Sequence, residues 1–384
     1  MAAGFRAFRV AGKVRESDII TSFHLEPVDG APLWPVRPGQ YLTLRMPGEG
    51  RAALRTYSVS NHVGDTHHHR ITVKREAGRD GAPDGAGSSW LHDRVNVGDR
   101  IDIAAPRGTF HLDEESRRPV LLISGGVGLT PLVSMLHSLK GSGRDVYFLH
   151  ACENGAVHAL RDEVLACAGD TVRTHFVYRT PSDADRSAGH FHAEGIIDKA
   201  LLQRHVPIDD YEVYLCGPAP FMAAMYQLLQ KLGVPKERIA YEFFGKAASL
   251  DAVAAAPAPT KAASKAAAPI RALTFLTNPD AWSSEDTGAG AAARPAQQAA
   301  AGDVTFRKSG TAAHWDGTAG SLLELAENAG LSPEFSCRAG ICSSCKCTLV
   351  SGEVAYFEDP LNPPEAGQVL ICCARPKGAV VLDI

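Results

Sequence analysis

Six of the nine cysteines lie within the last fifty residues of this 384-residue chain, and their spacing constrains the fold more than any other feature. Cys337, Cys342 and Cys345 form the pattern C-x4-C-x2-C, and Cys372 follows 27 positions after Cys345. Thiolates spaced in this way ligate a 2Fe–2S cluster, with three ligands on one loop and the fourth on a distant segment. A zinc site would require two paired knuckles, and the adjacent Cys372 and Cys373 lack the spacing of the second. The sequence therefore predicts an iron–sulfur domain with the ligands Cys337, Cys342, Cys345 and Cys372.

The segment around Cys372 leaves Cys373 as a rival for the fourth ligand position. Leu370-Ile-Cys-Cys-Ala-Arg-Pro matches the pattern L-x-C-x-A-x-P of plant-type ferredoxins at Cys372, and Phe335-Ser-Cys-Arg-Ala-Gly extends the match. The C-terminal residues, about eighty of them, resemble these ferredoxins, and the resemblance implies a β-grasp fold. Gly340 suits a loop that turns its backbone N–H groups toward sulfide.

The first third of the chain contains short β-forming segments. Gln40–Arg45, Tyr57–Ser60 and Ile71–Arg75 are rich in Val, Ile, Leu, Thr and Tyr, and Gly, Pro and Asp separate them. This pattern predicts a closed antiparallel barrel. His67-His68-His69 follows Gly64-Asp65 between two of these strands, so we interpret it as a solvated turn rather than as a metal site.

From Val120 onward the pattern is typical of an open α/β sheet. Val120–Ile123 is a continuous apolar run, as in a buried parallel strand, and it leads through glycines into a helix over Leu132–Leu139. Strands and helices then alternate, which predicts a parallel sheet. The further predicted strands are Val146–His150, Arg173–Tyr178 and Glu212–Cys216. The further predicted helices are Leu160–Ala166, Ile196–Arg204 and Phe221–Leu232.

Between Lys246 and Gly302 the composition narrows to Ala, Pro, Gly, Ser and Gln. Such a segment cannot bury enough apolar surface to offset its chain entropy, so it is predicted to be a tether. The composition of Ile270–Trp282 is less biased, and two alternatives stay open for this segment, local order and a flexible tether. A strand at Val304–Lys308 and a helix at Ser321–Ala329 follow. The predicted domains are a barrel at 1–113, an α/β domain at 114–246, a linker at 247–302 and an iron–sulfur domain at 303–384.

A glycine-rich turn, Ser124-Gly-Gly-Val-Gly-Leu-Thr-Pro131, directly follows the first buried strand. Thr130 can cap the next helix, and Pro131 suits its first position. A glycine turn that leads into a helix N-terminus favours a bound pyrophosphate. The predicted nucleotide-binding residues are Gly126, Val127, Gly128, Leu129, Thr130 and Pro131.

Arg55-Thr56-Tyr57-Ser58 forms the motif R-x-Y-S on a predicted strand. An arginine suits a pyrophosphate through bidentate contacts, and a tyrosine offers a ring that can stack on a flavin. Pro38-Gly-Gln-Tyr41 precedes this motif and Gly87-Ser88-Ser-Trp-Leu-His92 follows it. In this order the motifs resemble the ferredoxin–NADP reductase superfamily, and most closely the reductase module of bacterial flavohemoglobins, over about residues 5–245.

The resemblance implies roles for the residues that match. The implied FAD-binding residues are Tyr41, Arg55, Thr56, Tyr57, Ser58 and Ser88, with Arg55 at the phosphates and Tyr57 stacked on the flavin. The implied nicotinamide-site residues are Cys216, Gly217 and Pro218 in Leu215-Cys-Gly-Pro. In Tyr241-Glu-Phe-Phe-Gly245, Glu242 takes a proton and positioning role, and Phe244 with Gly245 covers the flavin. The implied catalytic residues are Ser58, Cys216 and Glu242.

The choice between NADH and NADPH depends on the residues after the strand Val146–His150. No arginine in Ala151–His158 is placed to pair with a 2′-phosphate, and Glu153 would repel one. Arg179 is an exception that keeps NADPH open. The sequence therefore favours NADH.

The order of flavin, nicotinamide and ferredoxin domains resembles reductases that serve hybrid-cluster proteins and multicomponent oxygenases. Phthalate-type reductases share this order but carry FMN, whereas the complete R-x-Y-S and Gly87-Ser88 region here favours FAD. The resemblance implies a reductase that passes electrons from NADH through FAD and a 2Fe–2S cluster to a separate acceptor, such as a terminal oxygenase or a hybrid-cluster protein. The alternative is a redox sensor without a terminal enzyme, which has no use for a hydride site.

Composition excludes some partners. The 39 Lys and Arg against 43 Asp and Glu leave a formal charge of −4, which argues against binding nucleic acid or an anionic membrane through bulk charge. No apolar run approaches the roughly 20 residues of a membrane helix. The start of the sequence lacks the apolar core of a secretory signal, so a cytoplasmic protein is expected.

Overall fold

The computed structural model describes residues 5–47, 53–78, 84–244, 302–335, 340, 343–360 and 363–384. These residues fall into two compact units, 5–244 and 302–384. The predicted linker 247–302, with Ile270–Trp282, lies outside the described residues except for Gly302, which begins a strand.

Six antiparallel strands form a barrel in the first unit, in the order β4-β3-β6-β1-β2-β5. A bridge between Val59 and Ile71 joins the two ends of this sheet and confirms the predicted closed barrel. Side chains alternate between the two faces of a strand, so β1 and β2 bury Phe8, Val10, Phe23 and Leu25 inside. The strands are β1 (Phe5–Arg15), β2 (Ile20–Pro27), β3 (Tyr41–Met46), β4 (Ala53–Ser58), β5 (His69–Lys74) and β6 (Arg100–Arg107), and helix α1 (Ala86–Asp93) separates β5 from β6.

The same unit contains a parallel sheet with the strand order β10-β9-β8-β7-β11-β12. All residues of β7 and β8 are buried, which explains their uninterrupted apolar runs. The strands are β7 (Val120–Gly125), β8 (Val146–Cys152), β9 (Val172–Tyr178), β10 (Ala193–Glu194), β11 (Glu212–Gly217) and β12 (Ile239–Phe243). The helices are α2 (Leu129–Leu139), α3 (Arg161–Leu165), α4 (Asp183–Ala188), α5 (Lys199–His205) and α6 (Ala219–Lys231). The predicted α/β domain is confirmed, and α4, β10 and β12 are additions to it.

The start of α2 differs from the prediction that Thr130 caps it. A 3₁₀ turn over Gly126–Gly128 runs directly into the helix, so Gly128 is the N-cap residue. Thr130 lies inside the helix, where its Oγ1 donates to the carbonyl of Val127 at 3.2 Å. The positive φ of Gly126, +55°, lets the chain turn earlier than the Thr-Pro pair indicates.

The interpretation of His67-His68-His69 as a solvated turn is wrong for its last residue. His69 begins β5 on the same inward face as Ile71 and is 3% exposed. Burial lowers the pKa of His69 to about 4, so it is neutral at pH 7. His68 is half-buried and stacks on His24 with ring centroids 4.4 Å apart, while His67 is exposed.

The second unit contains a mixed sheet in the order β14-β13-β19-β15-β17 and a separate pair, β16-β18. Within the mixed sheet, β13 and β19 are parallel. The Ser321 hydroxyl caps the helix by accepting from the N–H of Glu324, and Leu322, Leu323 and Ala326 are buried in the core with Trp315. The arrangement agrees with the β-grasp fold expected from the ferredoxin resemblance. The elements are β13 (Gly302–Phe306), β14 (Thr311–Trp315), α7 (Leu322–Asn328), β15 (Lys346–Ser351), β16 (Val354–Tyr356), β17 (Gln368–Leu370), β18 (Ala374–Pro376) and β19 (Val380–Leu382).

Candidate active site

The strand order of the parallel sheet reverses between β7 and β11. The chain runs outward from β7 through β8 and β9, then crosses back to add β11 and β12 on the other side. Ligands of open α/β sheets bind in the crevice at the carboxyl ends of the strands where the order reverses. The glycine turn after β7 and the Cys216-Gly217-Pro218 turn after β11 both lie at that crevice. Sequence motifs that are about ninety residues apart are therefore brought together.

These two turns contact each other closely. A Cβ atom at Gly128 would lie 2.3 Å from the carbonyl oxygen of Cys216, so only glycine fits there. Similarly, a Cβ at Gly125 would lie 2.8 Å from the ring of Phe221, and a Cβ at Gly217 would lie 2.6 Å from it. The role of Phe221 was not predicted, although an aromatic residue three positions after Cys-Gly-Pro is a visible signal in the sequence.

The predicted nucleotide-binding residues fall into two groups, one partly exposed to solvent and one buried. Gly126 and Val127 are partly exposed, so the 3₁₀ turn can present its backbone to a ligand. In contrast, Leu129, Thr130 and Pro131 are buried. Their side chains hold the helix against the sheet, so the capacity to bind a pyrophosphate rests on the turn itself.

The three predicted catalytic residues meet where the barrel and the parallel sheet join. Strand pairing places Cys216 of β11 opposite Glu242 of β12. The hydroxyl of Ser58, the last residue of β4, lies close enough to the Glu242 carboxyl to lower its pKa. The structure thus brings together residues from a barrel strand and from two strands of the α/β sheet.

Burial controls the charge state of this group. Burial raises the pKa of Glu242 to about 8, and the nearby Ser58 hydroxyl opposes that rise. The residue is partly exposed as a whole, but its Oε2 is buried and has no hydrogen-bond partner among the described residues. Burial and the nearby Glu242 raise the pKa of the Cys216 thiol well above its usual value. At pH 7 the site therefore holds a protonated carboxyl beside a neutral thiol.

The R-x-Y-S motif packs against the start of α1. A Cβ at Gly87 would lie 2.9 Å from Cγ of Arg55 and 2.9 Å from the hydroxyl oxygen of Tyr57. Burial raises the pKa of Tyr57 to about 12, whereas Arg55 and Thr56 are exposed. An exposed guanidinium beside a helix N-terminus is suited to a phosphate group.

Tyr41 and Ser88 are placed differently from each other. Tyr41 pairs with Ser58 across β3 and β4, and a Cβ at Gly108 would lie 2.8 Å from its ring. The hydroxyl of Ser88 accepts from the N–H of Glu76 at 3.1 Å and donates to the carbonyl of Gly85 at 3.0 Å. The Ser88 side chain therefore stabilises the turn before α1, and its hydroxyl is already engaged.

The end of β12 is described only as far as Phe244. Phe244 is 42% exposed, which leaves its ring accessible to a flat ligand. Gly245, which was predicted to bind the cofactor, lies outside the described residues.

A cluster of charged side chains links the barrel to the parallel domain. Arg70 of β5 makes two hydrogen bonds of 2.7 Å to Glu163 of α3, and His137 of α2 contacts the same carboxylate at 2.6 Å. The hydrogen bonds with Cys167 and Glu163 raise the pKa of His137 to about 9. The pKa of Glu163 falls to about 2, because hydrogen bonds from His137 and Arg70 outweigh its burial. No sequence motif predicts this cluster, because Arg70 and Glu163 are 93 positions apart in the chain.

The predicted cluster ligands are described in part. Cys345 and Cys372 are each 3% exposed, and Cys337 and Cys342 lie outside the described residues. The N–H of Gly340 donates to Sγ of Cys372 at 3.3 Å, as expected for a loop that surrounds an iron–sulfur cluster.

The rival cysteine has a different environment. Sγ of Cys373 lies 3.5 Å from the carbonyl oxygen of Leu370, and Cys373 is fully buried in the core. A Cβ at Gly340 would lie 2.8 Å from this sulfur, and Gly340 has a φ of +66°. These contacts favour Cys373 as a packing residue and Cys372 as the ligand.

Three family models match the chain. The oxidoreductase FAD-binding domain matches residues 10–112, the oxidoreductase NAD-binding domain matches 122–227, and the 2Fe-2S iron-sulfur cluster binding domain matches 307–377. The chain is 37% identical to the flavohem-like FAD/NAD-binding domain of nitric oxide dioxygenase from Vibrio cholerae O1 biovar El Tor. That match covers 63% of this chain and 99% of the solved domain, with a TM-score of 0.56. The chain belongs to the ferredoxin–NADP reductase superfamily.

Other relatives cover different parts of this reductase. The structure of phthalate dioxygenase reductase, a modular structure for electron transfer from pyridine nucleotides to [2Fe–2S], is 25% identical to it. That match covers 99% of this reductase and 98% of the solved chain, with a TM-score of 0.53. A flavohemoprotein of Bacillus thuringiensis subsp. konkukian (strain 97-27) is 44% identical over 252 residues, which is 64% of this reductase. This reductase spans 62% of the length of that flavohemoprotein.

These matches establish the cofactor classes. The chain contains an oxidoreductase FAD-binding domain, an oxidoreductase NAD-binding domain and a 2Fe–2S cluster binding domain. The residues present fit these groups: an exposed Arg55 for a phosphate, a turn with glycine at the closest approach for a dinucleotide, and a backbone N–H directed at Cys372 for a cluster. Among the described residues, no helix is both long enough and apolar enough to span a bilayer.

Proposed function

We propose that this reductase takes electrons from NADH and delivers them, through FAD and the 2Fe–2S cluster, to a separate acceptor protein of the terminal oxygenase or hybrid-cluster type. The contact of Ser58, Glu242 and Cys216 carries the proposal, because it joins the flavin barrel to the nucleotide crevice. When bound, FAD accepts a hydride and releases electrons singly, and the cluster carries one electron at a time.

The side chains of the chain bind and orient the two nucleotides. The exposed Arg55 pairs with the FAD pyrophosphate, and Tyr57 supports the flavin ring. The backbone of Gly126–Gly128 receives the pyrophosphate of NADH, and the turn after Cys216 positions the nicotinamide. Thr56, Tyr41 and the exposed ring of Phe244 complete the walls around the flavin. These assignments rest on the observed placement of each group together with the family resemblance.

Glu242 holds a proton close to the site of hydride transfer. Since its pKa is raised to about 8, the carboxyl is protonated at pH 7 and its Oε2 can serve as a hydrogen-bond donor. The nearby Ser58 hydroxyl lowers the pKa of this group and so opposes the effect of burial. The neutral, buried Cys216 excludes water from the crevice without adding charge.

The preference for NADH rests on Glu153, which follows the end of β8. The hydroxyl of Thr180 donates to Oε1 of Glu153, and this bond holds the carboxylate in the loop beyond the strand. A carboxylate at this position accepts hydrogen bonds from a ribose and repels a 2′-phosphate.

Two electron acceptors test the proposed route in the full-length holoprotein. Ferricyanide takes electrons from the flavin directly, and cytochrome c stands for a one-electron protein acceptor. We expect Cys372→Ser to lower NADH-driven cytochrome c reduction by at least about tenfold, while ferricyanide reduction stays within about twofold. Equal loss of both activities would contradict a route through the cluster. The absence of steady NADH turnover with either acceptor would instead favour a redox sensor.

The class of acceptor is tested separately. A purified terminal oxygenase component or hybrid-cluster protein from the same cell should increase NADH consumption when it is added to the reductase with its substrate. The Cys372→Ser variant is the matched control and should give no increase.

A further inference from the structure

A compact group of three ligating side chains lies apart from the flavin site. His150 and Cys152 lie two residues apart on one face of β8, close to its carboxyl end. His158 follows the 3₁₀ turn Gly155–Val157 and folds back onto them. The rings of His150 and His158 have centroids 4.5 Å apart.

The three side chains are close enough to share one ion. One ligating atom from each of His150, Cys152 and His158 lies within 4.8 Å of the other two. Around a metal with bond lengths of about 2.0 Å to nitrogen and about 2.3 Å to sulfur, ligand atoms are separated by about 3.3–3.7 Å. Small side-chain rotations would therefore bring the three ligand atoms to the distances found around a bound metal. His150 and Cys152 are each 1% exposed and His158 is 5% exposed, so the site is closed to solvent.

Both imidazoles are oriented as metal ligands usually are. Nδ1 of His150 lies 2.8 Å from the hydroxyl of Ser124, and Nδ1 of His158 lies 2.8 Å from the hydroxyl of Tyr178. A hydroxyl in this position can accept the Nδ1 proton, which leaves the lone pair of Nε2 for an ion. Nε2 of His158 is buried and has no partner among the described residues. An unpaired buried nitrogen is destabilising, and a bound ion would satisfy it.

The protonation states agree with this arrangement. Burial lowers the pKa of His150 to about 3, and burial together with neighbouring cations lowers the pKa of His158 well below its usual value. Both rings are therefore neutral, with lone pairs available. Burial raises the pKa of Cys152, so its thiol keeps its proton until an ion displaces it.

We propose that His150, Cys152 and His158 form a binding site for a soft monovalent metal ion, Cu(I). Soft thiolate ligands select Cu(I), and imidazole accepts copper as well. One thiolate with two neutral imidazoles balances the charge of a monovalent ion, whereas Zn²⁺ would leave a net positive charge in a closed apolar region. Zinc also takes four ligands in structural sites, and the cluster supplies three. Binding of Cu(I) releases the Cys152 proton to solvent.

The test titrates the full-length holoprotein anaerobically with Cu(I) in competition with a colorimetric Cu(I) chelator. We expect one copper per chain, with both cluster irons retained, and at least tenfold weaker binding by the Cys152→Ala variant. The matched control is Cys167→Ala, which removes a buried cysteine of the same domain and should bind as the unaltered protein does. Copper K-edge absorption should report one sulfur and two nitrogen neighbours.

Several results would overturn the proposal. Binding that persists in Cys152→Ala would exclude this thiol as a ligand, and copper uptake accompanied by loss of iron would assign the copper to the iron–sulfur domain. Tighter retention of Zn²⁺ than of Cu(I) would overturn the choice of metal. Because Cys152→Ala removes one atom from a packed region, flavin content and cluster absorbance verify its fold. A His158→Gln variant provides a second removal of a ligand that keeps the side chain polar.

Discussion

The hydroxyl of Ser58, at the end of a barrel strand, lies close to the carboxyl of Glu242, in the last strand of the parallel sheet. This approach couples the protonation of Glu242 to a residue of the barrel, because the Ser58 hydroxyl lowers the pKa of that carboxyl.

Removal of the Glu242 carboxyl should change both the rate and the pH profile of flavin reduction by NADH. Glu242 has a raised pKa of about 8, so it is protonated below that pH and ionised above it. We expect the rate of flavin reduction to fall as pH rises through about 8. Glu242→Gln should lower the rate by about 10²-fold and abolish this transition. Stopped-flow measurement of flavin bleaching from pH 6 to pH 10 checks both effects.

The Ser58→Ala variant tests whether the Ser58 hydroxyl influences the pKa of the Glu242 carboxyl. Because the Ser58 hydroxyl lowers the pKa of Glu242, its loss should move the transition to higher pH. Ser22→Ala removes another buried barrel hydroxyl, which bonds Thr72, and should leave the transition in place. A transition that persists unchanged in Glu242→Gln would assign it to another group.

Gly128→Ala should weaken the binding of NADH. The new Cβ would lie 2.3 Å from the carbonyl oxygen of Cys216, so one of the two turns must move. We expect the KM for NADH to rise at least about tenfold with FAD content unchanged. Gly169→Ala is the control, because a Cβ there meets nothing within 4 Å. A Gly128→Ala enzyme with an unaltered KM would show that the turn adapts freely.

The two adjacent cysteines should differ in their effect on iron content. Sγ of Cys372 accepts a hydrogen bond from the N–H of Gly340, whereas Sγ of Cys373 lies against the carbonyl of Leu370. We therefore expect Cys372→Ser to lose the electron paramagnetic resonance signal of the reduced cluster, and Cys373→Ser to keep about two irons per chain. The opposite pattern would make Cys373 the fourth ligand.

Glu153→Gln should reduce discrimination against NADPH. The change removes the negative charge that would repel a 2′-phosphate but keeps the size of the side chain. We expect the ratio of kcat/KM for NADH over NADPH to fall about tenfold. Glu194→Gln, on the exposed strand β10, is the matched control for loss of one surface carboxylate. An unaltered ratio would assign the discrimination to other residues.

The stability that His137 contributes should depend on pH. The pKa of His137 is raised from 6.5 to about 9, so its contribution is complete below pH 6.5 and is lost as pH rises through about 9. The pKa of Glu163 is lowered from 4.5 to about 2, so its contribution is complete above pH 4.5 and is lost as pH falls through about 2. The destabilisation by His137→Gln should therefore be largest between pH 4.5 and pH 6.5, at about 1–2 kcal/mol.

Thermal unfolding of His137→Gln across this pH range provides the measurement. His67→Gln replaces an exposed histidine and should leave the Tm unchanged at every pH. A Tm difference between His137→Gln and the unaltered protein that stays constant up to pH 10 would contradict the role of the charged imidazole.

Local patterns predicted much of this structure. The apolar run at Val120–Ile123 predicted a buried strand, because few other structures can bury every residue of such a run. The order of the motifs led to the prediction that Ser58, Cys216 and Glu242 share one site. The start of α2 was misplaced because a glycine with positive φ begins the turn before Thr130. The contact of Arg70 with Glu163 was not predicted, because ion pairs between distant segments leave no periodic signal.

Gly128 packs so closely against the Cys216 peptide that the two turns of the nucleotide crevice must move together. Ordering either turn restrains the other, so the entropy lost on binding one half of a dinucleotide is not lost again for the second half. Adenosine monophosphate and nicotinamide mononucleotide, offered as separate fragments, should thus bind cooperatively, and each fragment should slow the dissociation of the other.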